Sequence, residues 1–163
     1  MSVPKTIRKS SAFTLIEILI VVIILGILAA IVIPRFANAT KEAKRATLSS
    51  QLNSVRAQLQ LYIIEHGDQK PPNFTGSNWT DLITQSVFNG VTRGPYLPSI
   101  PVNPLNGYTN IAVVVGDPAW GDPVAGANIG FVYNSANGFI YGTSALGDKV
   151  FNESNPLDPV NEQ

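Results

Sequence analysis

Between Phe13 and Ile33 the chain runs through 21 consecutive positions of which only Thr14 and Glu17 are polar. At 1.5 Å per residue such a helix is about 32 Å long, close to the thickness of a bilayer core. No compact domain of the remaining length can wrap a helix that is apolar on every side, so this segment needs lipid or other protein chains around it. The sequence before it carries Lys5, Arg8 and Lys9 and no acid among its first twelve residues.

Three readings of this segment compete. A secretory signal peptide would use the basic flank and find a small-residue cleavage site at Ala37-Asn38-Ala39. Its apolar core normally spans 7–15 residues, however, and neither a carboxylate in its first turn nor an intervening Pro34-Arg35 suits that reading. A simple membrane anchor explains the length but leaves Glu17 at membrane depth without a partner, at a cost of a few kcal/mol. The third reading supplies the partner. Cutting between Ala12 and Phe13 creates an α-amino cation four residues from Glu17, and in a bundle of identical helices Glu17 of one copy pairs with the Phe13 amine of the next. Such a pair gains most in hydrocarbon and sets the stagger between copies, as a buried polar residue does in a coiled coil.

The segment Ser11-Ala12-Phe13-Thr14-Leu15-Ile16-Glu17, with the apolar run ending in Ile31-Val32-Ile33-Pro34, resembles the cleavage and methylation motif of type IV pilins and type II secretion pseudopilins. The resemblance implies a leader, residues 1–12, removed by a prepilin peptidase that also methylates the Phe13 amine. Ala12 stands where that family usually has glycine. It further implies a leader on the cytoplasmic side of a bacterial inner membrane, a head outside it, an inner-membrane assembly platform, and polymerisation with copies of itself and with minor pilins or pseudopilins. Charge counting does not fix the orientation, because Arg35, Lys41, Lys44 and Arg45 follow the apolar run as closely as the leader bases precede it.

Beyond the membrane helix (13–34), with softening expected at Gly26 and a kink or local melting at Pro34, helical periodicity continues through residues 35–66. Leu48, Leu52, Val55, Leu59 and Tyr62 form one apolar stripe, expected to pack on the chain's own C-terminal part. Lys41, Lys44 and Arg45 read as a solvated collar, and His66, before Gly67, as a solvated helix-end residue favourable to the dipole. A head of residues 67–163 follows. Asn78 is a possible cap for a short helix holding Trp79, Leu82, Ile83 and Val87, and a proline-rich connection occupies 94–107. Ile111–Val115, Ile129–Tyr133 and Phe139–Tyr141 read as strands, the last two as a hairpin. The fold class is α+β: a long N-terminal helix on a small antiparallel sheet, similar to the pilin fold.

From Asp68 onward eight acids face three bases, which argues against nucleic acid as a partner. The absence of cysteine excludes disulfides and thiolate chemistry, and no triad, phosphate loop or paired metal motif supports an enzyme. No organic cofactor is expected. The pseudopilin resemblance implies calcium in the last loop, where Asp148, Asn152, Glu153, Asn155 and Asp158 offer hard oxygen ligands; the dense acidic loop of that family is not reproduced, and an ordinary polar tail is the alternative. The function expected is that of a filament subunit, the major pseudopilin of a type II secretion system. The alternatives are a surface type IV pilin for adhesion, motility or DNA uptake, and a minor tip pilin.

Overall fold

A computed structural model describes residues 13–76, 78–155 and 158–162. These fall into two units, one ending at Ala39 and one starting at Thr40. The first holds the apolar part of α1, the helix Leu15–Glu65. Pro34 lies inside that helix, so the melting expected there is not found. One proline deletes a single rung of the hydrogen-bond ladder, and the rungs on either side hold the backbone helical. Gly26 is also helical, and a β-carbon there would meet nothing within 4 Å.

In the second unit α1 presents Arg45, Leu48, Leu52, Val55, Leu59 and Tyr62 to the interior, so the stripe read from the sequence is the packed face. It meets Phe74, Trp79, Leu82, Ile111, Phe131, Tyr133, Ile140 and Phe151 in one continuous core. The helix ends at Gly67 and Asp68, both left-handed, with Asp68 N–H donating to the Ile63 carbonyl at 2.9 Å, which satisfies a carbonyl that the helix end would orphan.

A 3-10 turn, Pro72–Gly76, precedes the one-turn helix α2, Thr80–Ile83. Asn78 is not the cap expected: Trp79 holds the N-cap position without a side-chain cap bond, and Asn78, one residue earlier, accepts at Oδ1 from the Thr80 N–H at 2.9 Å in an Asx-type turn. Val87 does not extend this helix. It belongs to a hairpin of β1 (Ser86–Phe88) and β2 (Val91–Arg93), turned by Asn89 and Gly90 at φ 50° and 78°. Both angles are those of a type I′ turn, whose backbone twist matches that of the strands it joins.

The proline-rich connection is pinned to the sheet by Asn103, which is fully buried. Its Nδ2 donates to the carbonyls of Gly130 and Thr143 at 2.9 and 3.0 Å, while its Oδ1 accepts from Leu105 N–H. The main sheet has the order β3 (Asn110–Val114), β4 (Ile129–Asn134), β5 (Phe139–Gly142). The α+β class stands, and β4–β5 is the antiparallel hairpin expected. The β3–β4 pair, in contrast, is parallel, Ile111 opposite Phe131 and Val113 opposite Tyr133. The connection between them, residues 115–128, is long enough to return the chain to the starting edge, which a two-residue turn could not do. It also covers the far side of the sheet. There Val132, Tyr141 and Val150 form a second small core with Ala112, Val114 and Val124, while the alternate residues Ile111, Phe131, Tyr133 and Ile140 face α1. Gly130 sits against the entry to β3, where a β-carbon would lie 2.2 Å from the Tyr108 carbonyl oxygen.

Tyr133, among the largest fully buried side chains, has a hydroxyl with no hydrogen-bond partner among the described residues. Burial, and secondarily Tyr62, pushes its phenol up to about 12. Below pH 10 the phenol is neutral in both folded and unfolded chains; between 10 and 12 the unfolded chain ionises first, so stability falls with rising pH. Tyr133→Phe should therefore raise the melting temperature at pH 7, since an unsatisfied buried hydroxyl costs roughly 1–3 kcal/mol. It should also flatten the decline above pH 10. Thermal unfolding of the detergent-solubilised chain, followed by near-UV circular dichroism at both pH values, checks both effects. Gly130→Ala should destabilise by at least about 2 kcal/mol in the same assay, because backbone must move to admit the methyl group.

Candidate assembly interface

Every residue from Phe13 to Lys44 is exposed. That stretch includes an almost unbroken series of Ile, Leu and Val, a surface far larger than the few hundred Å² of apolar patch a soluble monomer tolerates. By length and composition it can cross a membrane. No described residue of the unit ending at Ala39 covers the apolar run, which calls for lipid or other chains around it.

The start of this helix is built locally. Thr14 precedes the first helical residue and its Oγ1 accepts from the Glu17 N–H at 3.3 Å, with the Thr14 carbonyl accepting from Glu17 and Ile18. Thr14 and Glu17 have the Thr-x-x-Glu spacing of a capping box, of which the Thr14 half is formed, and the two side chains approach at 3.5 Å. Glu17 also places a negative charge in the first turn, at the positive end of the helix dipole. Phe13, immediately before the cap, is three-quarters exposed. Ala12 and the rest of the leader lie outside the described residues.

Two polar residues expected in solvent are buried instead. Arg45 packs in the head because it precedes Leu48 by three residues on the same helical face, next to Leu105, Ala145 and Asn161; Lys41 and Lys44 remain exposed. His66 is covered by the β1–β2 hairpin and stacks on Tyr62 with ring centroids 3.9 Å apart. Its Nδ1 lies 2.9 Å from the Tyr62 carbonyl, which can only accept, so Nδ1 donates there, and Nε2 lies 2.9 Å from Ser86 Oγ. The ring is a buried structural element. Beside it Tyr96 donates to Glu65 at 2.7 Å, and burial followed by that hydrogen bond holds its phenol well above the usual tyrosine range.

The candidate cation ligands are spread over separate local networks. Asp148 accepts from Ser144 Oγ at 3.0 Å. Asn152 Oδ1 accepts from Ser154 and Asn155, and its Nδ2 donates to Asp158 at 2.8 Å. Both oxygens of Glu153 are held by Arg56, at 2.7 and 2.5 Å. No group of three or more acidic or histidine side chains poised for a metal exists among the described residues. One carboxylate of the set is thus committed to a guanidinium, and Asn152 presents N–H to Asp158. Arg56, which the sequence reading did not single out, is the residue that organises this region. Asp117 accepts at Oδ1 from Asn134, Asn137 and Tyr141 and so ties the β3–β4 connection to the β4–β5 turn.

Residues 7–33 match the family model described as the prokaryotic N-terminal methylation motif. The chain is 41% identical over 59 residues to the type II secretion system core protein G of Pseudomonas aeruginosa, an alignment covering 36% of this chain and 42% of that protein. It thus spans less than half the length of that relative. It is 38% identical over 82 residues to the type IV narrow pilus major component of Thermus thermophilus, covering 44% of this chain and 71% of that one. With the wide pilus major component of the same organism it shares 32% identity over 113 residues, 69% of this chain and 80% of that one. No solved structure matches.

Thr14→Val should remove the cap while keeping the side-chain shape, at a cost of about 1 kcal/mol to the first turn. The amides of Glu17 and Ile18 should then exchange roughly fivefold faster in hydrogen-exchange measurements on the detergent-solubilised chain, with the head unaffected. Unchanged exchange would show that the cap contributes nothing there.

Proposed function

Since this chain belongs to the type IV pilin and pseudopilin family, we propose that it is the major pseudopilin of a type II secretion system, stored in the bacterial inner membrane and polymerised through its N-terminal helix. The observation that carries the filament reading is the bare apolar helix: 13–44 is exposed along its whole length, and copies of the same helix can replace the lipid around it. The 41% identity to core protein G over 59 residues favours the secretion filament.

In this reading a prepilin peptidase cuts between Ala12 and Phe13 and methylates the new amine, the leader lies in the cytoplasm and the head outside. The Phe13 amine of one subunit meets Glu17 of another at the end of the growing filament. Removing either charge strands the other in an apolar surround at a cost of several kcal/mol. Gly26 and Pro34 are the positions at which the helix has least to lose by bending as the subunit leaves lipid for filament: one has no side chain to pack and the other has already lost a hydrogen bond. An assembly platform in the inner membrane and minor subunits complete the machine.

A second reading, the subunit of a surface type IV pilus, draws support from the T. thermophilus pilus components, whose similarity extends over more of the chain. Deleting the gene separates the two. Loss of a secreted protein set with surface fibres intact supports the secretion filament, and the reverse supports the pilus.

Intact mass and N-terminal sequencing of the protein from its native membrane should find a chain beginning at methylated Phe13; a start at Thr40 or an intact Met1 would sink the processing scheme. Glu17→Val should leave membrane insertion and leader cleavage unchanged while lowering filament yield at least about tenfold, read by shearing and immunoblotting, the loss expected when one partner of a desolvated pair is removed.

A further inference from the structure

We infer that the head fastens its C-terminal tail with the Arg56 guanidinium and needs no divalent cation to do so. Arg56 projects from α1 beside the buried stripe residue Val55. It uses its planar fork in two directions: Nη1 and Nη2 donate to the two oxygens of Glu153 at 2.7 and 2.5 Å, and Nε and Nη2 donate to the Ile140 carbonyl at 2.9 and 2.6 Å. Ile140 lies on β5, an edge strand of the sheet, so the same group joins helix, sheet and tail. The guanidinium also sits over the Phe139 ring, 4.1 Å from its centroid. Both side chains of the ion pair are about 85% buried, since their exposures are 14% and 15%.

A divalent cation would require oxygen ligands at 2.3–2.6 Å. Here the Glu153 oxygens are already within hydrogen-bond distance of a permanent positive charge, which would repel the incoming ion. The neighbouring oxygens are engaged as well. Asn161 Nδ2 donates to the carbonyls of Asn152 and Asn155 at 3.3 Å, and Asn161 Oδ1 accepts from the Asn152 N–H at 2.7 Å. Asn152 turns its amide donor toward Asp158. Among the described residues the tail is thus a hydrogen-bonded network anchored to the helix by the Arg56–Glu153 pair. Every group in this closure belongs to the chain itself, so it does not depend on metal supply. The inference holds whichever filament the subunit builds.

The test uses the full chain in detergent micelles, with hydrogen exchange of residues 150–155 and thermal unfolding recorded in excess EGTA and in millimolar calcium chloride. For the wild type, exchange and melting temperature should be the same in both. Arg56→Lys, which keeps the charge and loses the fork, and Glu153→Gln, which keeps the shape and loses the charge, should each accelerate exchange of the tail about tenfold, with no rescue by calcium. The double variant should be no worse than the more damaging single one, as expected for two members of one interaction. Slower exchange or a higher melting temperature of the wild type in calcium would overturn the inference, as would wild-type exchange in both single variants.

Discussion

The burial of one face of α1 against β4 and its neighbours fixes nearly everything else in the head. Leu48, Leu52, Val55 and Leu59 are essentially inaccessible, and each buried side chain of this size contributes roughly 1.5–3 kcal/mol. Because residues on a helix are separated by fixed angles, that packing also dictates where the polar residues between them point. Arg56, next to Val55, arrives at the edge of β5. Arg45, one turn before Leu48, is carried under the head, and Glu65, one turn after Leu61, reaches Tyr96 and Arg93. The ion pairs of the head follow from the hydrophobic register and add selectivity to it.

The same helix has no such register before Lys44. There its apolar residues surround the axis, so no single face can be buried and the demand for partners is met outside the unit. One element therefore carries two kinds of sequence. The striped half folds with its own sheet, and the all-apolar half is left for a solvent other than water. Pro34 falls in the second kind, where neighbouring helices can tolerate a missing rung.

Features legible in the sequence are those decided by local spacing: the stripe from Leu48 to Tyr62, the helix end at Gly67, the proline connection and the β4–β5 hairpin. Two further features left a signal that was outweighed. Asn89-Gly90 between Val87-Phe88 and Val91-Thr92 is a strong hairpin signature, but Val87 also completes a helical spacing from Trp79. The unbroken run Ile111–Val115 indicates a strand covered on both faces, which points to parallel pairing and to a second core. What remained hidden depends on contacts between distant segments. Glu153 lies 97 residues from Arg56, and the hairpin that covers His66 is positioned by tertiary packing, so neither burial nor pairing is written near those residues.

Glu17 shows how a residue can serve its own helix and remain available to another. Its main-chain N–H is capped by Thr14, and its carboxylate complements the positive end of the helix, while among the described residues its side chain makes only a long 3.5 Å approach to a hydroxyl. A carboxylate offers about four acceptor positions, so most of its capacity is unspent. A free amine at Phe13 would stand at the positive end of its own helix, an unfavourable place for a cation. Each cleaved copy would then present a carboxylate with spare acceptor capacity and a cation that its own helix dipole disfavours. Bringing the amine of one copy to the carboxylate of another relieves both, and only a staggered arrangement of parallel helices allows every copy to do so at once, which is the geometry of a helical filament with open ends.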